Sequence, residues 1–398
     1  MTIGFLSNFV VMSTEQAFTE AVELLEQLIS TPRTSRNESA AADLVQKNLT
    51  SHGYDAQRFG NNLMAIGHCQ LPERQTLLLN AHIDTVKPAS GWILDPTTPT
   101  YKKGEETIPS PQNGQEATAP NDKSSPLNSL EGVRLYGLGS NDDGASLVSL
   151  MQTFYTCDRP DCKWNLVFIA SAEEEVSGTQ GMKLMAGITG EKALFPHIDV
   201  ALVGEPTGMQ PAVAEKGLMV IDATVRGVSG HAARNEGINA IYRAIEFVDI
   251  VRKMESELEI SPSLGPVKMT VTVMNAGTQH NVIPDVCTLT IDCRSNELYS
   301  NQQLFDMLQA RLPEWCQISA RSFCLNSSSI SESHPLIRKC IEMGLTPFGS
   351  PTLSDQALLP MPSFKMGPGQ SSRSHTAQEY ICLSEIRQAL DLYRQLLC

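Results

Sequence analysis

The sequence predicts an α/β protein of two domains, in which helices surround a mainly parallel sheet and a smaller α+β domain is inserted. Its 398 residues exceed what one compact core usually holds. Apolar runs without alternation at 76–81, 165–171 and 199–205 are typical of strands buried on both faces. Because residues 145–155 read as a helix between two of these runs, strands and helices alternate as in a layered α/β domain.

Two helices are predicted before the first buried strand. Residues 15–30 carry apolar side chains at a period near 3.6, and Pro32 follows their end. Ser35 and Glu38 match a capping box, which predicts a second helix from there to about Leu49.

The pattern changes after Pro206. Three later segments alternate apolar and polar residues, as half-exposed antiparallel strands do, and these are 218–227, 267–273 and 286–294. A predicted helix at about 238–253 lies among them. Such a domain has free strand edges and an open sheet face, which makes it a candidate dimerisation surface.

These patterns place the larger domain at 1–209 and 326–398, with the smaller domain at 210–325 inserted between its two parts. Residues 101–131 are rich in Pro, Ser, Asn, Glu and Lys and have almost no apolar anchors. We expect them to form a mobile surface insertion, with a functional lid as the alternative.

Charge and cysteine usage narrow the class of protein. The formal net charge of −14 disfavours a nucleic-acid partner, because an acidic surface repels phosphate. Ten cysteines without a CxxC pair are expected to be buried, reduced thiols, which indicates a cytoplasmic protein. Residues 1–11 are too short to span a membrane and lack the basic start of a secretion signal, and Met12 is an alternative start.

Acidic residues and a histidine follow the predicted buried strands. They are His82 and Asp84, then Asp142 and Asp143, then Glu173, Glu174 and Glu175, and finally Glu205. The carboxyl ends of strands in an open α/β sheet face one crevice. Because neighbouring carboxylates repel one another and a cation relieves that repulsion, the pattern favours a metal site over a solvated charge run.

The spacing of His82 and Asp84 is typical of a metal-binding histidine oriented by a carboxylate. Residues i and i+2 of a strand point the same way. A zinc-bound imidazole commonly donates its other N–H to a carboxylate, which fixes the tautomer. A core histidine bonded to a nearby aspartate remains the alternative for this pair taken alone.

An ordered set of motifs carries a family resemblance from about residue 16 to the C-terminus, except for 101–131. The motifs are HIDT, YGLGSNDDGAS, SAEEEVSGTQG, VGEPT, GVSGHAA, NVIP, DCR, GPG and SHTAQEY. The chain resembles the dinuclear-zinc family of acetylornithine deacetylase, succinyl-diaminopimelate desuccinylase, aminoacylase and glutamate-releasing carboxypeptidase. The resemblance implies a zinc-exopeptidase-like catalytic domain with an inserted dimerisation, or lid, domain, and therefore a homodimer.

The resemblance also implies a set of metal ligands. His82 and Glu205 resemble the ligands of one zinc ion, and Glu175 and His375 resemble those of a second. Asp142 resembles the carboxylate that bridges the two, and the family pattern implies a cis peptide after it. Mixed nitrogen and oxygen donors suit Zn²⁺, with Co²⁺ or Mn²⁺ as possible substitutes.

Further residues resemble the family's catalytic and substrate-binding groups. Glu174 resembles the general base, Asp84 the residue that orients His82, and His231 the histidine that stabilises the oxyanion in the partner subunit's site. The expected substrate contacts are Asn281, Arg294, Gly367 and Gly369, and the Arg294 fork suits a substrate α-carboxylate.

The sequence around several of these motifs is most similar to the acetylornithine deacetylase branch of the family. It implies a zinc-dependent amidohydrolase that removes the acyl group from N-acetyl-L-ornithine, or from N-succinyl-L-ornithine, in arginine biosynthesis. Succinyl-diaminopimelate desuccinylase is the alternative enzyme, followed by a dipeptidase or carboxypeptidase. A non-catalytic binding protein is disfavoured because Glu174 and the five implied ligand positions are all filled.

Overall fold

The structure is a computed structural model that describes residues 12–108, 130–188, 190, 192–234 and 236–398. The expectations for residues 1–11, and for 109–129 of the predicted insertion, lie outside the described residues. The chain forms two compact units. The first comprises Met1–Pro211, Ser333–Pro347 and Lys365–Cys398, and the second comprises Ala212–Glu332 and Phe348–Phe364.

The α-helices follow in chain order. They are α1 (Thr14–Ile29), α2 (Ser39–Ser51), α3 (Ala145–Cys157), α4 (Met182–Met185), α5 (Ala240–Glu257), α6 (Asn301–Gln309), α7 (Pro335–Glu342) and α8 (Leu383–Leu397). No helix in the described part of the chain is long and apolar enough to cross a membrane.

The strands divide between the two units. Those up to Pro211 are β1 (Gln57–Phe59), β2 (Asn62–Ile66), β3 (Thr76–His82), β4 (Thr100–Lys103), β5 (Glu106–Ile108), β6 (Val133–Tyr136), β7 (Asn165–Ser171) and β8 (Val200–Val203). Those after it are β9 (Ala212–Glu215), β10 (Met219–Arg226), β11 (Gly230–His231), β12 (Lys268–Ala276), β13 (Val282–Ile283), β14 (Val286–Arg294), β15 (Cys316–Ala320), β16 (Ser328–Ser329), β17 (Phe348–Ser350), β18 (Ser363–Lys365) and β19 (Tyr380–Cys382).

The main sheet of the first unit has the strand order β1-β2-β7-β3-β8. β3 runs parallel to both β7 and β8, whereas β2 pairs antiparallel with β7 at the edge. β3 and β7 are almost wholly buried because helices such as α3 pack on the sheet. The predicted α/β class with buried, mainly parallel central strands is confirmed.

The second unit contains an antiparallel sheet in the order β12-β14-β10-β15. Inward-facing side chains alternate with outward-facing ones along β10, and helix α5 packs on the inner face. Phe247 and Val251 of α5 meet Ile221 and Ile291 of the sheet in one apolar core. The predicted alternating strands and their helix therefore form an α+β unit.

Two local predictions were wrong. Residues 101–108 do not stay disordered: β4 and β5 form a hairpin that pairs with β6, and Tyr101 is 3% exposed. The predicted capping box of Ser35 and Glu38 does not form either. Helix α2 begins at Ser39, the Ser35 hydroxyl donates to Asp84, and Glu38 accepts from the backbone N–H of Arg36.

All ten cysteines are free. Six are buried, including Cys287 and Cys293 on β14, where they form part of the apolar core of the second unit. The expectation of buried thiols holds for these six, whereas the other four are half-buried.

Candidate functional site

The parallel strands of the first unit bring the predicted ligands to one edge of the sheet. His82 ends β3 and lies opposite Ser171, which ends β7. On the other side of β3, Val203 at the end of β8 lies opposite Asn80. The segments that leave these strand ends carry Asp84, the 173–175 triplet and Glu205, so the acidic groups converge.

Asp142 lies between two histidines. Its Oδ1 is 3.2 Å from Nε2 of His82, and its Oδ2 is 3.6 Å from Nε2 of His375. His375 also lies 2.9 Å from a carboxylate oxygen of Glu175. Each oxygen of the Asp142 carboxylate thus faces a different imidazole, which is the arrangement that a carboxylate shared by two cations requires.

The imidazole of His82 is held from its other side. Nδ1 lies 3.0 Å from the backbone carbonyl of Asp84 and 3.5 Å from its carboxylate. The buried Asp84 carboxylate accepts hydrogen bonds from the Ser35 hydroxyl at 2.7 Å and from the N–H of Glu174 at 3.0 Å. Asp84 therefore links the His82 strand to the acidic triplet as well as lying beside the imidazole.

The three glutamates of the triplet face different partners. Glu173 has a left-handed backbone, with φ of 54°, and its carboxylate turns away to accept from the N–H of Gln180 at 3.2 Å. The Glu174 carboxylate lies 4.0 Å from Nε2 of His82, and that of Glu175 contacts His375. Only the second and third members of the triplet therefore face the histidines.

The half-buried Glu205 and the buried Asp143 are two further acids at the same edge. Burial, reinforced by Asp142 and Asp143, raises the pKa of Glu205 well above its ordinary value, against the opposing pull of Lys365. Burial also raises the pKa of Asp143 to about 7, and its Oδ1 has no hydrogen-bond partner among the described residues. A bound cation would relieve this unfavourable concentration of carboxylates.

The donor set fits a metal centre. Ligand atoms of His82, Asp142 and Glu175 all lie within 4.8 Å of one another. His375 lies against two of these residues, and the Glu205 carboxylate interacts electrostatically with Asp142 and His82. Imidazole nitrogens combined with carboxylate oxygens are ligands that Zn²⁺ accepts.

A residue that the sequence analysis did not single out holds the Asp142 loop. The carboxylate of Glu379, 2% exposed, accepts from the backbone N–H groups of Gly139, Asn141 and Asp142 at 3.0, 2.8 and 2.9 Å. The Asp142–Asp143 peptide is cis, as the resemblance implied. Glu379 lies in the SHTAQEY motif, so the motif marked its position but not its role.

The predicted Gly367 and Gly369 brace the turn that follows Glu205. The carbonyl of Gly367 accepts from the N–H of Met209 at 2.9 Å, and that of Gly369 accepts from the N–H of Gly208 at 2.7 Å. Gly369 has φ of +86°, and a Cβ there would collide with the side chain of Asn141. The loop therefore needs glycine to pack against the turn.

Three other predicted residues belong to the second unit. His231 is exposed on β11, and its Nδ1 accepts from the N–H of Ala233 at 3.2 Å. The exposed Asn281 accepts from the N–H of Ala232 through its backbone carbonyl. The Arg294 fork is occupied by Asp292, at 2.7 and 3.1 Å.

Comparison with known proteins places these features in a family context. Residues 213–316 match the peptidase dimerisation domain of the M20 family. The chain is 26% identical to acetylornithine deacetylase from Proteus mirabilis, over 94% of this chain and 95% of that protein. It is also 26% identical to succinyl-diaminopimelate desuccinylase from Corynebacterium glutamicum, over 69% of this chain and 66% of that protein.

The fold is similar to that of a solved dinuclear metal-binding peptidase of the M20 family from Bacillus subtilis. The TM-score is 0.63 at 14% identity, covering 96% of this chain and 98% of the other. The predicted resemblance and fold class are thereby confirmed, and the matches support a hydrolase of the M20 type.

Proposed function

Starting from the resemblance to M20 hydrolases, we propose that this chain removes the acyl group from N-acetyl-L-ornithine or N-succinyl-L-ornithine. The observation that carries the proposal is the position of Asp142 between His82 and His375, with the Glu174 carboxylate 4.0 Å from His82. The full-length similarity to an acetylornithine deacetylase supports the ornithine substrate. On this proposal the chain acts in arginine biosynthesis in the cytoplasm.

Two zinc ions are the proposed cofactors. His82 and Glu205 would hold one, Glu175 and His375 the other, and Asp142 both. When bound, such a pair polarises the scissile carbonyl and acidifies a water molecule. The cluster of acids supports this assignment, since burial and the neighbouring Asp142 and Asp143 raise the pKa of Glu205, and a bound cation would compensate that concentration of negative charge.

Glu174 is the proposed general base. Its carboxylate is 12% exposed and lies 4.0 Å from Nε2 of His82, so it faces the metal ligands and still reaches solvent. It would take a proton from the attacking water and deliver it to the leaving α-amine. Asp84 would act as a positioning residue, because its carboxylate bonds the backbone N–H of Glu174.

The second unit would supply substrate contacts. The Arg294 guanidinium donates to Asp292 in the structure. It would have to release Asp292 before it could bind the substrate α-carboxylate. The exposed imidazole of His231 would stabilise the oxyanion in the site of a second copy, with Asn281 as a further contact. Gly367 and Gly369 would pack beside the substrate.

A homodimer through the second unit completes the proposal. Among the described strands β12 pairs only with β14, and its exposed side chains include Val273 and Met274, at 46% and 43% exposure. On α5, Tyr242 and Ile245 are 68% and 52% exposed. An open strand edge with neighbouring apolar side chains suits pairing with a second copy, and this segment matches a dimerisation domain.

Succinyl-diaminopimelate desuccinylase is the alternative, since a putative enzyme of that name from Mycobacterium tuberculosis is 25% identical to this chain, over 95% of this chain and 98% of that protein. A dipeptidase or carboxypeptidase comes next, because the fold resembles M20 peptidases. All three would use the same metal ligands and base, so only the substrate distinguishes them.

The test measures ornithine release by zinc-loaded protein from N-acetyl- and N-succinyl-L-ornithine, with Glu174→Gln and Glu173→Gln as matched variants. We expect turnover of one compound, a loss in kcat of about 10²–10⁴-fold in Glu174→Gln with zinc retained, and near wild-type turnover in Glu173→Gln. No release from either compound would refute the ornithine assignment and direct the assay to succinyl-diaminopimelate and dipeptides. Full activity in Glu174→Gln would exclude Glu174 as the base.

A further inference from the structure

A buried arginine connects the two segments that carry His82 and Asp142. Arg33 is 3% exposed, and its guanidinium donates to the carbonyl of Ile83 at 2.8 Å and to the carbonyl of Gly139 at 2.7 Å. Ile83 directly follows His82, and Gly139 begins the loop that leads to Asp142. One side chain therefore bonds both ligand-bearing segments.

The backbone of Arg33 is fixed to the same region. Its carbonyl accepts from the N–H of Thr85 at 2.9 Å, and Thr34 pairs with Thr85 in a short parallel bridge. The next residue, Ser35, donates its hydroxyl to Asp84. Segment 33–35 thus runs beside 83–85 and holds that segment through main-chain and side-chain bonds.

The charge of Arg33 also fits this location. Its guanidinium is bonded to carbonyl oxygens, while Asp84, Asp142, Asp143 and Glu379 act on it electrostatically. A buried cation among four carboxylates offsets part of their mutual repulsion, which would otherwise push the ligand-bearing segments apart. A lysine would keep the charge, but a single ammonium group lacks the planar fork that meets two carbonyls at once.

We infer that Arg33 is a positioning residue that sets the metal affinity of the site by fixing His82 relative to Asp142. The inference rests on the proposed function only in assuming that these residues bind zinc. Asp142 faces both histidines, so displacing its loop would disturb both proposed metal positions.

The experiment measures zinc affinity by competition with a chromophoric chelator and zinc content by elemental analysis, neither of which requires a substrate. The variants are Arg33→Met and Arg33→Lys. The matched control is Arg387→Met, because Arg387 is also buried, at 7% exposure, but bonds Glu15 at 2.6 and 3.0 Å instead of the ligand segments. Thermal unfolding of the zinc-free proteins reports the loss of stability separately.

We expect both Arg33 variants to bind zinc about 10–100-fold more weakly, as is typical when a group that orients metal ligands is removed. Arg387→Met should lower the Tm but leave zinc affinity unchanged. Wild-type affinity in Arg33→Met, or an equal loss in Arg387→Met, would overturn the inference. If Arg33→Met fails to fold, the test rests on Arg33→Lys. Wild-type zinc affinity in Arg33→Lys would refute the role of the forked guanidinium group.

The outcomes separate this inference from the proposed function. A wild-type chain that binds zinc tightly but releases no ornithine would refute the substrate and leave the Arg33 comparison intact. A wild-type chain that binds no zinc would overturn both.

Discussion

Replacement of Glu379 by alanine should loosen the loop that carries Asp142. The Glu379 carboxylate accepts from three consecutive or near-consecutive N–H groups, those of Gly139, Asn141 and Asp142, at 2.8–3.0 Å. The side chain is 2% exposed, so it shields these N–H groups from bulk solvent. Alanine would leave three buried donors without an acceptor.

The magnitude follows from those three donors. A buried polar group left unpaired costs about 1–3 kcal/mol, so three give a lower bound of about 3 kcal/mol. Water entering the vacated space would limit the loss, and we expect about 3–5 kcal/mol for Glu379→Ala. Glutamine keeps one oxygen for Asn141 and Asp142 but turns an NH₂ group toward the N–H of Gly139, so Glu379→Gln should cost about 1–3 kcal/mol.

The assay is urea unfolding of the zinc-free proteins, together with hydrogen exchange of residues 137–144. Because burial raises the pKa of Glu379 to about 7, pH 8 keeps the wild-type carboxylate largely ionised. Glu23→Ala, at an exposed position of α1, is the control and should change stability by less than about 0.5 kcal/mol. A loss below about 1 kcal/mol in Glu379→Ala, with unchanged exchange in the loop, would refute the reasoning.

Two further predictions concern the dimer surface and an ion pair. Tyr242→Glu should convert the protein to a monomer, because it places a charge on the exposed face of α5, and sedimentation that still shows a dimer would exclude this face. Arg387→Met should destabilise the protein by about 1 kcal/mol at pH 7 and by less at pH 3. The hydrogen bond from Arg387 lowers the pKa of Glu15, so this stabilisation is present above the ordinary value of 4.5 and is lost as pH falls through the folded-state pKa; an equal loss at both pH values would contradict it.

The buried strands could be predicted because their signals are local. The runs at 76–81 and 165–171 lack alternation, and the structure buries both faces of β3 and β7. The hairpin at 101–108 could not be predicted in the same way. Its polar composition hides one buried residue, Tyr101, whose hydroxyl donates to Glu26 at 2.7 Å from the distant helix α1.

In the candidate site, too, some features could be predicted from local sequence and others could not. The order of the motifs identified groups that converge, such as His82 and Asp142, because strand ends and the spacing of motifs can be read directly from the sequence. The supporting groups Arg33 and Glu379 act on segments 106 and 240 residues away, at Gly139. Sequence periodicity relates only residues that are close along the chain, so it gives no sign of contacts at these separations. An arginine after a proline, or a glutamate in a loop, is too common in proteins to indicate such a role.

Ser35 shows why a correct local rule can still give a wrong structure. A serine three residues before a glutamate offers a helix cap, in which its oxygen accepts from a neutral backbone N–H. In the fold the same hydroxyl instead donates to the ionised carboxylate of Asp84 at 2.7 Å. A hydrogen bond to a charged group is roughly twice as strong as one between neutral groups, so the distant partner prevails over the local cap. Helix α2 consequently begins at Ser39 without a side-chain cap, and the residue that sequence assigns to helix initiation supports the candidate metal site.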